Sequence, residues 1–101
     1  EMLLAGDDLP AERARELGLI NHVVPDGQAL TKAREIADRI ARNGPLAVKA
    51  ILATLRETEA MPEEEAFVIE RDHGTAVMRS KDAMEGPRAF LEKRDPVFTG
   101  E

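Results

Sequence analysis

Few residues of this chain combine in a way that could do chemistry, and the most promising pair sits near its end. In Glu85-Gly86-Pro87-Arg88-Ala89-Phe90-Leu91-Glu92-Lys93-Arg94-Asp95-Pro96-Val97-Phe98, Phe90 and Lys93 stand three apart. On a helix that spacing puts both on one face. An aromatic plane beside an ammonium suits a ligand with a flat base and phosphates, such as a nucleotide. The plainer reading of the same residues is that Phe90 packs in a core and Lys93 stays solvated. The two histidines, His22 and His73, form neither an HExxH pattern nor a Ser-His-Asp arrangement. Both read as surface or boundary residues. Glu63-Glu64-Glu65 brings three acids together, but consecutive side chains on a helix point in different directions. They read as a solvated helix start and not as a metal site. The glycines are scattered and build no phosphate-cradling loop. The residues by themselves offer no catalytic group and no metal ligand set.

Composition narrows the setting. With no cysteine, the chain has no disulfide scaffold, thiolate zinc site or cysteine nucleophile, which fits a cytoplasmic protein. A net charge of −6, with Lys and Arg interleaved among Asp and Glu, argues against nucleic-acid binding, which needs a basic stripe. The apolar runs fall far short of the roughly 18 residues a membrane helix requires. No signal peptide is seen.

The elements that must position Phe90 and Lys93 are helical. Fifteen alanines, only three aromatic residues, and many Leu, Glu, Arg and Lys favour an all-α chain. About five helices and one short orphan strand are expected. Glu1 to Gly6 reads as the last turns of a helix already under way, which points to a piece of something larger. Pro10 suits the first position of a helix that continues over 11–17 and is closed by Gly18. Leu19-Ile20-Asn21-His22-Val23-Val24 is the one β-rich run, stopped by Pro25-Asp26-Gly27. A lone strand cannot make a sheet, so it must pair with a strand absent here or stay extended. From about Gln28 to Arg42, Ala33, Ile36, Ala37, Ile40 and Ala41 make one helical stripe. After Asn43-Gly44-Pro45, a second stripe follows in Val48, Ile51, Leu52 and Leu55. A helix from Pro62 to about Arg79 begins with acids, as the helix dipole prefers. Ser80 or Asp82 can cap the last helix, and Asp82 to Glu85 has capping-box spacing. Pro87 leaves its start open, near Ser80 or at Pro87 itself. Asp95-Pro96 ends it by Arg94.

Three motifs, in order across the chain, carry a resemblance to a known family. EGPRAFLEKRDPVFTG resembles the C-terminal signature of the crotonase superfamily, the enoyl-CoA hydratase/isomerase enzymes. EMLLAGDDLPAERARELGLINHVVP and IADRIARNGPLAV are similar to that family's preceding segments. Two departures stand out: Leu52 where many members have lysine, and Gly74-Thr75 where members often carry an aromatic residue near the CoA moiety.

The resemblance implies that residues 1–101 are the C-terminal helical region of a crotonase-like α/β fold, a region for oligomerisation and CoA contact. The catalytic domain would lie upstream. It would hold the two backbone N–H groups that stabilise a thioester enolate, and the acids that handle water and protons. No catalytic residue is therefore expected here. By the resemblance, Lys93 reaches the CoA phosphates and Phe90 lies near the CoA base. The implied parent is an enoyl-CoA hydratase, or an isomerase or thioester hydrolase on the same scaffold. It would take an acyl-CoA substrate, need no separate cofactor and assemble as a homotrimer or hexamer. A different class of reading is a noncatalytic helical oligomerisation module with the motifs kept for packing.

Overall fold

The computed structural model describes residues 1–101 and contains six helices and no strand: α1 (Met2–Ala5), α2 (Ala11–Glu16), α3 (Ala29–Ala41), α4 (Pro45–Glu57), α5 (Glu63–Met78) and α6 (Asp82–Glu92). The chain divides into two compact units, residues 1–37 and 38–101, with the boundary inside α3.

In the first unit, each short helix stops at a glycine in the left-handed region. Gly6, at φ 75°, sends its N–H back to Met2 O at 3.0 Å. Pro10 precedes the first turn of α2 and is its N-terminal flank, one residue earlier than the sequence reading placed it. The C-terminus of α2 is a Schellman motif: Leu19 N–H reaches Ala14 O at 2.9 Å and Gly18 N–H reaches Arg15 O at 3.1 Å, with Gly18 at φ 76°. Beyond it, residues 20–25 form no strand. With no neighbouring strand to take up its backbone groups, a β-rich run has no ladder to enter. The expected orphan strand is thus replaced by irregular chain, and His22 on it is exposed.

In the second unit, Pro45 occupies the first turn of α4, where its missing N–H costs nothing. Pro62 likewise precedes α5, whose first turn carries Glu63, Glu64 and Glu65 in solvent. These helices pack on each other. The half-buried stripe of α5 is Ala66, Ile69, His73 and Val77. On α4 the half-buried positions are Leu46, Ala47, Ala50, Ala53 and Thr54, mostly small side chains that let the helices approach, and Val48 of the expected stripe. The larger residues expected as a core stripe, Ile51, Leu52 and Leu55, are 60%, 47% and 64% exposed. On α3, Ile36 alone of the expected stripe is half-buried.

Helix α6 settles the question left by Pro87. It starts beside Ser80, whose hydroxyl accepts the Ala83 N–H at 3.2 Å, and runs through Pro87. Gly86 makes that possible, because a residue without Cβ removes part of the clash that keeps pre-proline residues out of the helical region. Ala89, on the inner face of α6, is 1% exposed.

Candidate site on the last helix and the C-terminal segment

The capping-box spacing of Asp82 and Glu85 is used for another purpose. Both carboxylates, one helical turn apart, hold the segment that follows the helix. Asp82 accepts the Thr99 N–H at 2.8 Å, the Thr99 hydroxyl at 3.2 Å and the Gly100 N–H at 2.8 Å. Glu85 accepts two hydrogen bonds from the Arg94 guanidinium, at 2.6 and 3.0 Å, and one from Val97 N–H at 2.7 Å. Between these anchors the ring of Phe98 lies over Gly44 and Gly86. A Cβ on Gly44 would come within 3.5 Å of the ring and one on Gly86 within 4.0 Å. The segment therefore ties the start of α4 to α6.

The charges explain the acidity of the group. Hydrogen bonds from Arg94, then from Val97, hold the Glu85 carboxyl well below its ordinary range, at about 2. The Thr99 N–H, against the opposing effect of burial, lowers Asp82. Arg88 and Arg94 lower Glu92, and Glu85 and Glu92 push the Arg94 guanidinium further up. Arg94 thus sits in a fork between two carboxylates, with Glu92 Oε2 2.6 Å from its Nε.

Directly before this fork, the chain turns at Lys93. Its φ and ψ of 54° and 41° are left-handed. Arg94 N–H reaches Ala89 O at 3.1 Å and Lys93 N–H reaches Phe90 O at 3.3 Å. This is the same Schellman geometry that closes α2, with a lysine where α2 has Gly18. Helical register ends with Glu92, so the three-residue spacing no longer places Phe90 and Lys93 on one helix face. Phe90 is 83% exposed on α6 and is not a core residue of this chain. Lys93 is exposed and no ion pair holds its ammonium.

A second polar cluster lies in the seam between α4 and α5. Thr54 Oγ1 and His73 Nδ1 share a hydrogen bond at 2.8 Å, and Glu57 lies 3.5 Å from His73 Nε2. Thr54 and Glu57 are the polar partners of the ring. Thr54 and His73 border a groove of about 380 Å³ whose walls include Ala47, Ala50, Ile51 and Gly74.

The fold of the chain matches that of known proteins. The profile of the enoyl-CoA hydratase/isomerase family matches residues 1–101, the whole chain. This chain belongs to that family. Enoyl-CoA hydratase EchA19 of Mycobacterium tuberculosis is 62% identical over 98 residues, 97% of this chain and 37% of that protein. A carnitinyl-CoA dehydratase of Salmonella agona is 40% identical over 104 residues, 99% of this chain and 40% of that protein. The crystal structure of an enoyl-CoA hydratase from Mycobacterium tuberculosis H37Rv has a TM-score of 0.88 at 43% identity, covering 97% of this chain and 39% of that one. The chain thus spans 37–40% of the length of these curated relatives.

Several features of the tail motif have a physical account. Glu85 grips Arg94, Ala89 is buried, Phe98 rests on two glycines, and Gly100 turns at φ 78° to offer its N–H to Asp82. The tail residues were legible as a motif, but the Glu85–Arg94 and Asp82–Thr99 pairings were not. The only hint was a charge pattern that also fitted a capping box.

Proposed function

We propose that residues 1–101 are the C-terminal helical region of an acyl-CoA enzyme that adds water to a 2-enoyl-CoA thioester. In that reaction hydroxide character goes to C3 and a proton to C2, through a thioester enolate. The enolate would be stabilised by two backbone N–H groups supplied by an upstream domain, with upstream acids handling the proton and the water. This region would contribute CoA contacts: the Lys93 ammonium on the phosphates and the exposed Phe90 ring near the base. It would also contribute a surface for assembly as a trimer or hexamer. The observation that carries the reading is the 62% identity with a hydratase along nearly the whole chain. An exposed ring on α6 and an ammonium without an ion-pair partner at its C-terminal turn are consistent with it.

The carnitinyl-CoA dehydratase relatives favour a second reading, the same chemistry run toward elimination on a different acyl group. Isomerase or thioester hydrolase activity on this scaffold, and a noncatalytic oligomerisation module, are the remaining alternatives. No helix is long and apolar enough to cross a membrane, and a cytoplasmic location belongs to the proposal. The test is hydration of a short 2-enoyl-CoA by the full-length protein, followed by loss of the conjugated-enoyl absorbance, with CoA binding measured by calorimetry. Turnover supports the hydratase reading. Neither turnover nor CoA binding removes the enzyme reading and leaves the oligomerisation module. Residues 1–101 alone are expected to show no turnover.

A further inference from the structure

Lys93 is the non-glycine residue at the position of a Schellman turn that α2 fills with Gly18. A side chain there is disfavoured against the right-handed alternative, and such strain persists only where surrounding structure over-determines it. Here the over-determination is visible. Lys93 is bracketed by its own and the Arg94 N–H bonds to the end of α6. Arg94 is then locked by two hydrogen bonds from its guanidinium to Glu85, one to Glu92 and one to the Asp95 carbonyl at 3.0 Å. Three residues on, the Val97 N–H returns to the same Glu85. The side chain of Glu85 is only 17% exposed, so this grip is shielded, whereas Lys93 next to the locked arginine stays in solvent without a partner.

We propose that Glu85 is a positioning residue: through Arg94 and Val97 it holds the left-handed turn at Lys93 and so aims the Lys93 ammonium at a phosphate-bearing ligand. The inference rests on the CoA assignment of Lys93 above and adds to it how that ammonium is oriented. In physical terms, the Glu85–Arg94 fork orders the backbone at Lys93 beforehand, so ligand binding has only the side chain left to order. A helical Lys93 would project along a different direction from α6, and a free tail would let it sample many.

The test is a double-mutant cycle in the full-length protein, read by calorimetric CoA affinity and by thermal melting. Glu85→Gln keeps an oxygen for Val97 and loses the charged, two-bond grip on Arg94; Lys93→Ala removes the ammonium. Each single change is expected to weaken CoA binding roughly tenfold, the order of one charged hydrogen bond. The double variant should bind no more weakly than Lys93→Ala alone, since Glu85 acts only through Lys93. Arg94→Lys, which keeps charge but cannot make the fork, should reproduce the Glu85→Gln loss. The turnover number should stay constant while KM rises. Unchanged CoA affinity in Lys93→Ala overturns the CoA assignment itself. Loss in Lys93→Ala with none in folded Glu85→Gln overturns positioning alone. Additive losses do the same, because they place the effect of Glu85 elsewhere.

Discussion

Lys93 and Glu85 carry opposite relations to stability. Lys93 occupies a left-handed position at φ 54° that glycine adopts without penalty. Lys93→Gly is therefore expected to raise the melting temperature, by about 4–8 °C per kcal/mol in a chain of this size, while removing the ammonium. A melting temperature that falls would show that the lysine stem contributes packing the turn needs. Glu85 works the other way. Its folded-state carboxyl titrates at about 2, below its ordinary 4.5, with Arg94 as the main cause. A depressed carboxylate stabilises above its unfolded value and loses that contribution as pH falls through the folded one. Melting temperature should thus decline between about pH 4.5 and 2, and Glu85→Gln should flatten that part of the profile. An unchanged acid limb in the variant would mean other carboxylates set it. The residue pair was invisible in sequence for a physical reason. Glu85 and Arg94 meet because the helix ends in a left-handed turn that folds the arginine back. Helical periodicity, which made Phe90 and Lys93 look adjacent, holds only up to Glu92.

At the scale of elements, helix limits were legible and helix faces were not. Pro45, Pro62 and the acids after it marked the starts of α4 and α5, and Gly6 and Gly18 marked ends, because these residues act through local backbone geometry. Faces depend on what lies opposite. Ile51, Leu52 and Leu55 satisfied the 3.6-residue period, yet α5 packs against the alanine side of α4. The β-rich run 19–24 forms no strand, as its lack of a partner in the chain allowed, since strand formation requires a partner that periodicity does not supply. The seam between α4 and α5 instead contains the Thr54–His73 hydrogen bond. Thr54→Val keeps the shape and removes the hydroxyl, leaving His73 Nδ1 without its partner. It should cost about 1 kcal/mol by denaturant titration. A neutral effect would mean that water replaces the hydroxyl at this half-exposed ring.

Across the whole chain, buried surface is scarce. Ala14 and Ala89 are the buried apolar residues, while Leu3, Leu4, Phe90, Leu91, Met78 and Met84 are each more than 70% exposed. Exposed apolar area on this scale marks surfaces that associate. Residues 1–101 expressed alone should self-associate in a concentration-dependent way in sedimentation; a monomer across the micromolar range would refute this. The two carboxylates that hold the C-terminal segment have one more consequence. Asp82 and Glu85 lie in the first turn of α6, and their partners are the amides of Val97, Thr99 and Gly100. Two carboxylates on one helical turn thus anchor all three amides. The amides of 97, 99 and 100 should therefore exchange with solvent deuterium at one shared rate, tied to the fraying of the first turn of α6, as a single cooperative unit. Three unrelated rates would show that the segment peels away stepwise. A shared rate would make the start of the last helix and the final residues one structural object, although 12 to 18 positions separate them in the chain.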